Sequence, residues 1–290
     1  MARKNIFQLV EENYDVKSEI EKINSLFQDE AYFSTGYIYW SLYELVEEHL
    51  FQNWKYRQTC LDLDEFLEKA EAAITIKESF IKEEHIINNL EVMENFIKLY
   101  FDSGDELYNR QGIRYTSAFE TVFIFLIKTL EKRMGLIARE YKDRVIIYPK
   151  NAPLEKVVDL CEDEDVQWEL IRYVREELSL SEKRKTLAYL ATNLNIEDDK
   201  NEKDEHIKAL VKKAGNVLNN LHIRHNNKTG KWESEVFKGL TQKEAISLCD
   251  MVYNEMLTIV LLREHKEYDD IYEEFNKKQK ELSAKKKVTE

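Results

Sequence analysis

Apolar side chains recur every three or four residues along most of the chain, and this spacing is typical of amphipathic helices. Ser179 with Glu182 and Thr241 with Glu244 have the spacing of capping boxes, which mark helix N-termini. The pattern predicts helices at about 7–29, 35–56, 62–74, 80–102, 117–142, 154–161, 165–178, 181–194, 203–223, 242–264 and 267–284. We therefore expect an all-α fold, built as a multi-helix bundle.

One segment departs from the helical spacing. Arg144 to Tyr148 is the only strand-like run, and both prolines of the chain, Pro149 and Pro153, follow it. Because proline interrupts regular structure, we place a domain boundary there. The sequence thus predicts a helical N-terminal domain over 1–150, of unknown role, and a second helical domain over 151–290. The tail of the second domain is expected to fray from Asn276 onward.

A stripe of aromatic and apolar residues in the first half allows two interpretations. Its members, three or four residues apart, are Phe33, Tyr37, Trp40, Tyr43, Val46, Leu50 and Trp54. Aromatic rings can stack nucleobases, but the same spacing is typical of a buried helix face. Glu44, Glu47 and Glu48 flank the stripe, and carboxylates repel a phosphate chain. Core packing is therefore the interpretation that we favour.

Composition supports a helical, soluble protein and excludes several kinds of enzyme. The chain has 43 Lys and Arg against 56 Asp and Glu, a formal charge of −13, with only 7 Gly and 2 Pro in 290 residues. It contains no glycine-rich nucleotide loop, no G-x-S-x-G and no H-E-x-x-H, so we expect no cofactor. Cys60, Cys161 and Cys249 are far apart, which indicates reduced thiols. With no signal peptide and no apolar run beyond Val122–Ile127, we expect a cytoplasmic protein that does not contact membranes.

One segment of this acidic chain is free of acidic residues. Between 206 and 232 the charged residues are Lys208, Lys212, Lys213, Arg224, Lys228 and Lys231. A local positive patch can bind phosphate, while the acidic remainder limits unspecific binding of nucleic acid. The first three lysines can also be the solvated face of a helix, which is the interpretation that we favour for them.

The inward face of the same helix predicts a buried polar cluster at its end. Its apolar positions are Ile207, Leu210, Val211, Ala214, Val217, Leu218 and Leu221, and the spacing then brings Arg224 and His225 inward. Such a pair needs hydrogen-bond partners. Asn219, Asn220, Asn226 and Asn227 bracket the pair, and His222 precedes it. The cluster either stabilises the fold or binds a ligand. His222 and His225 have no third ligand nearby, so we predict no metal site.

The run Leu218-Asn-Asn-Leu-His-Ile-Arg224-His225-Asn226-Asn227, between two amphipathic helices, resembles the signature region of HEPN domains. The most similar in character are those of abortive-infection, phage-defence proteins. The resemblance covers about 154–265. HEPN domains are helical bundles that dimerise through the signature helix, and many are metal-independent ribonucleases. Their motif continues to a second His, which here would fall at 229–231, where the chain has Thr229, Gly230 and Lys231.

The resemblance implies an RNA-directed defence or toxin-type protein that forms a homodimer and binds or cleaves RNA or a nucleotide. Arg224 would balance phosphate charge, and His225 or His222 would transfer the proton. The residues expected to contact RNA are Asn219, Asn220, Asn226, Asn227, Lys228 and Lys231. The alternative is a non-catalytic interaction and dimerisation module whose residues 1–150 recognise a protein ligand. A third interpretation is a helical regulator in which the Asn-rich cluster is structural.

Overall fold

A computed structural model describes residues 12–29, 32–72, 83–196, 202–220 and 239–288. The chain divides into two compact units, Met1–Lys150 and Asn151–Glu290. Helices predominate and the strands are few and short, which confirms the expected all-α fold class.

Unit 1 surrounds one long helix, α4, with short helices and two small sheets. Its elements are α1 (Val16–Asp29), β1 (Phe33–Ser34), β2 (Tyr39–Trp40), α2 (Leu42–Leu45), a π-helical turn (Val46–Leu50), 3₁₀ turns (Phe51–Asn53 and Lys55–Arg57), α3 (Leu63–Lys69), α4 (Glu83–Gln111), β3 (Arg114–Tyr115), a second π-helical turn (Phe119–Ile124), α5 (Phe125–Met134), β4 (Leu136–Tyr141) and β5 (Arg144–Pro149). Strand β1 lies between β2 and β3, antiparallel to both. Strands β4 and β5 form a separate hairpin.

Aromatic side chains fill the core of unit 1. The Phe27 ring of α1 stacks on Phe96 of α4 at a centroid distance of 6.1 Å. Phe33 of β1 lies 4.7 Å from Phe119 and 4.6 Å from Tyr100. Ring pairs of this kind contribute about 0.5–1.5 kcal/mol each beyond the burial of their area. The rings therefore tie the small β1–β3 sheet to the long helix α4.

The predicted helix 35–56 is wrong in its first part. Residues 33–40 form the β1–β2 hairpin, and the turn between the strands includes Gly36 with a φ of +95°, which L side chains rarely adopt. Helix α2 begins only after Ser41, whose side chain forms a capping box with Glu44. Six members of the aromatic stripe are buried or half-buried, as expected, but Tyr37 lies at the hairpin turn and is 94% exposed.

The predicted helix 117–142 is also too long. Helix α5 ends at Met134 because Gly135 takes a left-handed conformation, with a φ of 65°, and its N–H caps the helix. The next residues form β4, which pairs with the predicted strand at 144–148 in a register that joins Leu136 to Pro149. Long-range pairing with β5 thus outweighs the weak helical spacing of 136–141.

Side chains of α4 cover the outer edge of β5. The Asn95 amide oxygen accepts a hydrogen bond from the Val145 N–H at 2.9 Å, and the amide nitrogen donates to the Val145 carbonyl at 2.7 Å. The Glu91 carboxylate accepts a bond from the Ile147 N–H at 2.7 Å. An open strand edge can pair with other chains. Two polar side chains of one helix therefore take the place of a third strand.

Unit 2 is a bundle organised around its last helix. Its elements are α6 (Ala152–Leu160), α7 (Glu164–Arg175), α8 (Leu180–Asn193), α9 (Glu205–Asn220) and α10 (Gln242–Val288). Helix α10 packs against α6, α8 and α9. Its inner face buries Ala245, Cys249, Val252, Tyr253, Met256, Leu257 and Ile259. The packing of α10 on three partners is what makes the unit compact.

The end of the chain differs from the prediction of two helices, 242–264 and 267–284. A single helix runs from Gln242 to Val288, past Asn276, where we expected fraying. The sequence between these ends contains neither Gly nor Pro, and all residues of the polar run at 263–267 except His265 are good helix formers. Nothing in that run therefore interrupts the helix.

The first half of α10 has the length and apolar character of a membrane span. Among the described residues, Gln242–Lys266 is the one such stretch, and an 18-residue window within it has a mean hydropathy of 1.5. Its inner face, however, is buried against other helices of unit 2. The core helix of a soluble protein has the same properties, and a single helix of this kind is weak evidence for a membrane protein.

The covered strand edge leads to a prediction about stability. Replacing Asn95 by Ala leaves the Val145 N–H and carbonyl without their partners, so we expect the free energy of unfolding to fall by about 1–3 kcal/mol. Urea denaturation followed by circular dichroism measures this change. Asn109→Ala, at an exposed position of the same helix, is the matched control and should change it by less than about 0.5 kcal/mol. Equal effects of the two substitutions would contradict the pairing role of Asn95.

Candidate functional site

Most of the predicted site lies outside the described residues. The predicted site residues outside the described ranges are Arg224, His225, His222, Asn226, Asn227, Lys228 and Lys231. Asn219 and Asn220 are the last two residues of α9, and the Asn219 side chain is exposed. The structure thus places the point from which the predicted polar segment departs, at the C-terminal end of α9.

The inward face of α9 packs as its sequence predicts. Ile207, Val211, Ala214, Val217 and Leu218 are buried, and α9 packs against α10. This burial confirms the apolar stripe that leads toward Arg224. It also fixes the orientation of α9 about its own axis, and this orientation determines which face of the helix points to solvent.

The outward face of α9 carries lysine and asparagine side chains. Lys212 and Asn219 are exposed, and Lys208 is partly exposed with its Nζ 3.7 Å from Glu205 Oε1. Lys213 forms an ion pair with Glu255 of α10. The pairing of Lys213 agrees with the interpretation of these lysines as a solvated helix face. Lys208, Lys212 and Asn219 nevertheless lie in one row, because they are separated by four and seven residues.

A second polar cluster joins α7, α8 and α10. The rings of Tyr173 and Tyr253 stack at 4.2 Å with an interplanar angle of 4°. Lys183 Nζ lies 4.2 Å above the Tyr173 ring and 2.7 Å from Asp250 Oδ1. The Tyr173 hydroxyl donates to the same oxygen at 3.0 Å. Burial, followed by the charge of Asp250, raises the pKa of Tyr173. Because its donors and acceptors satisfy one another, the cluster serves to hold the three helices together.

The cysteines offer no reactive thiol in this unit. Cys249 is buried beside the tyrosine cluster, and burial raises its pKa to about 11. Burial and then Asp163 raise the pKa of Cys161. A thiol is a nucleophile only as the thiolate, so both are poor candidates for covalent catalysis.

One cavity in unit 2 has a volume of about 560 Å³. It lies between the ends of α6 and α8 and the middle of α10, with Cys161, Asn195 and Arg263 in its wall. The Arg263 guanidinium donates to Glu202 Oε2 at 3.1 Å and to the Asn195 carbonyl at 3.0 Å. Its charge is therefore already balanced by protein groups, and the cavity offers no strong anion site.

An acidic groove of about 1030 Å³ crosses the surface of unit 1. Its lining includes Glu44, Glu47, Glu48, Asp64, Glu65 and Glu68. Burial and then Asp64 and Asp62 raise the pKa of Glu47. This concentration of carboxylates repels phosphate, so a nucleic acid would not bind along the groove. The acidic flank noted in the sequence is thus a real surface feature.

A smaller cavity of about 260 Å³ lies beside the first π-helical turn. π-Helical turns are frequent at functional sites. The His49 ring is held edge-on against Trp40 at 5.6 Å, and its Nε2 lies 3.7 Å from Glu48 Oε2. Arg110, which also lines the cavity, pairs with Glu106 at 2.9 Å. The cavity is polar, but the guanidinium charge facing it is neutralised.

A buried pair of carboxyl groups joins α4 to α5. Glu94 and Glu131 are 7% and 5% exposed. Lys128 Nζ lies 2.6 Å from Glu94 Oε1 and 3.2 Å from Glu131 Oε2. One ammonium group cannot balance two buried carboxylates. Burial, followed by the charge of Glu94, therefore raises the pKa of Glu131 to about 7.

Glu94, Glu131 and His49 were not among the site residues predicted from the sequence. A signal was present for the two glutamates, because each lies four residues after a core position, Leu90 and Ile127 respectively. A charged residue within an apolar stripe indicates a buried, titratable group. His49 carried no such signal, since its cavity forms through packing of α4 residues distant in sequence.

Comparison with known proteins adds no relative: no family model, curated protein or solved structure matches the chain. The resemblance to HEPN domains therefore stays a prediction. Within the described ranges, no group of three or more His, Cys, Asp or Glu side chains is arranged to hold a metal ion.

The raised pKa of Glu131 predicts a pH-dependent stability. Between its ordinary value near 4.5 and about 7, the native state holds a proton that the unfolded state releases, so this group makes stability fall as pH rises through that window. Glu131→Gln keeps the shape and removes the titration. We expect it to raise the free energy of unfolding by about 1–3 kcal/mol at pH 8, and by much less at pH 5.

Urea denaturation at a series of pH values measures the difference between variant and native protein. Asp105→Asn, which makes the same charge change at an exposed position of α4, should give a difference that stays constant from pH 5 to pH 8. A constant difference for Glu131→Gln as well would show that Glu131 does not titrate in this range.

Proposed function

We propose that the protein is an RNA-directed helical protein, which binds RNA or cleaves it without metal through the polar segment that follows α9. The observation that carries this proposal is the orientation of α9. Its apolar face is buried, so Lys208, Lys212 and Asn219 form an outward row within the acid-free segment, and this row leads to the predicted polar cluster. A row of cationic and amide donors suits a phosphate backbone.

Charge distribution supports the same location. The sequence has no acidic residue between 206 and 232, whereas the described groove of unit 1 is lined by carboxylates. RNA is therefore expected on unit 2, at the end of α9, and not on the aromatic first half of the chain. The electrostatic contribution to such binding falls steeply with salt.

The proposed chemistry assigns roles to the segment after α9. Arg224 balances the charge that develops on the phosphate, and Asn226 with Lys228 positions the RNA. His225, or His222 in place of the missing second histidine of the motif, removes the proton from the 2′-hydroxyl group, since imidazole titrates near neutral pH. The resemblance to HEPN domains supports a homodimer and a role in phage defence.

A cytoplasmic location is part of this proposal. Cys60, Cys161 and Cys249 are all free thiols in the structure. Free thiols suit a reducing compartment.

The alternative is a non-catalytic module whose unit 1 recognises a protein ligand. The observation that favours it is the β1–β2 hairpin, where the consecutive residues Tyr37, Ile38 and Tyr39 are 94%, 57% and 58% exposed. Neighbouring exposed apolar side chains are common at protein interfaces. This alternative predicts weak RNA binding at every salt concentration.

Binding of fluorescent single-stranded RNA across a salt series tests the location of the site. We expect affinity to fall linearly with salt on a double logarithmic plot, and Lys212→Ala to reduce the slope by about 1. Lys156→Ala, at an exposed position of α6, should leave the slope unchanged. Absence of RNA binding at low salt would overturn the proposal and favour the interaction module.

Cleavage of mixed cellular RNA with metal chelated tests the chemistry. We expect the native protein to cleave and Arg224→Ala to lose at least about 100-fold in rate, because removal of one charge-stabilising group typically costs this much. Circular dichroism verifies that the variant is folded, and Lys243→Ala serves as a control outside the segment. Equal cleavage by native protein and Arg224→Ala would refute the role of Arg224; salt-dependent binding without cleavage would restrict the function to RNA binding.

A further inference from the structure

The C-terminal part of α10 is long, and the side chains described in it are exposed. Residues 267–288 extend the helix by about 33 Å, at a rise of 1.5 Å per residue. Every side chain that the structure describes in this part is exposed. Ile271 and Phe275, four residues apart on one face, are 63% and 59% exposed. Two large apolar side chains thus lie in water on a helix that continues well beyond them.

The sequence extends these two positions into a longer apolar stripe. Tyr268, Ile271, Phe275 and Leu282 are separated by three, four and seven residues. This is the spacing of a helix that packs along another helix. The stripe is symmetric in one respect, because Tyr268 and Leu282 both lie seven residues from Phe275.

Charge along the same segment changes sign near Phe275. Residues 267–274 include Glu267, Asp269, Asp270, Glu273 and Glu274 and no basic residue. Residues 276–287 include Lys277, Lys278, Lys280, Lys285, Lys286 and Lys287, with Glu281 as the single acidic residue. Two parallel copies would bring acid against acid and base against base. Two antiparallel copies would bring acid against base at both ends.

We propose that residues 267–288 bind the same segment of a second copy of the chain, in antiparallel orientation, with the two-fold axis near Phe275. The apolar stripe supplies the attraction, and the reversal of charge selects the orientation. Tyr268 of each copy then lies level with Leu282 of the other. This interface is separate from the end of α9 and does not depend on the proposal about RNA.

Sedimentation equilibrium of the full chain over a wide concentration range tests whether this surface associates. We expect a monomer–dimer equilibrium. Ile271→Glu combined with Phe275→Glu should weaken it about 100-fold or more, because large apolar side chains of both copies lose their partners. Far-UV circular dichroism checks that the variant is folded, and Ile271→Ser with Phe275→Ser repeats the test without added charge. A native protein that is monomeric throughout, or a dimer that survives both variants, would refute the proposal.

Charge reversal tests the orientation. The acidic variant carries Lys277→Glu, Lys278→Glu and Lys280→Glu, and the basic variant carries Glu267→Lys, Asp270→Lys and Glu273→Lys. Each alone should weaken self-association at least about tenfold at low salt, whereas an equimolar mixture should form a heterodimer.

The control replaces Lys156, Lys185 and Lys243, which are exposed elsewhere in unit 2, by Glu. This control has the same net charge as the acidic variant and should dimerise like the native protein. Equal weakening by the control, or a mixture that fails to associate, would refute pairing of the two charged segments.

Discussion

The hydrogen-bonding requirement of buried polar groups governs how α4 holds unit 1 together. A hairpin with one open edge leaves backbone groups unpaired, and Glu91 and Asn95 supply the missing partners. One turn of the same helix also directs Glu94 toward Lys128 of α5. The positions of the β4–β5 hairpin, α5 and α4 are therefore coupled by polar contacts within an otherwise aromatic core.

Unit 2 meets the same requirement in a different way. In one of its polar clusters, Tyr173, Lys183 and Asp250 satisfy one another across three helices. The surrounding contacts are apolar, and α10 provides most of them.

Local signals predicted well where the helices of unit 2 begin, because their N-termini are set by residues adjacent in sequence, whereas α10 continues beyond its predicted end. The capping boxes at Ser179 and Thr241 are both present in the structure. The errors in unit 1 have a long-range cause. The two residues of β1 are strand only because Phe33 pairs with Trp40 on one side and with Tyr115 on the other, and the second partner is distant in sequence.

The candidate site, like the fold, could be predicted from the sequence only where local periodicity determines the structure. The buried stripe of α9 follows from its own periodicity, so the orientation of its outward face could be deduced from sequence. The buried pair of Glu94 and Glu131 could be predicted only with the knowledge that α4 and α5 are neighbours. The position of each glutamate within an apolar stripe nevertheless indicated that it is buried. The roles of Arg224 and His225 rest on resemblance alone, since both residues lie outside the described part of the chain.

The continuity of α10 has a mechanical consequence. Because there is no Gly or Pro between Gln242 and Val288, no such residue kinks the helix. It therefore extends as one stiff element outward from the core of unit 2. Cys249 in that core and Phe275 are separated by about 40 Å along the axis. Anything attached near Phe275 is therefore held at a set distance from the bundle, so that α10 works as a spacer as well as a core element.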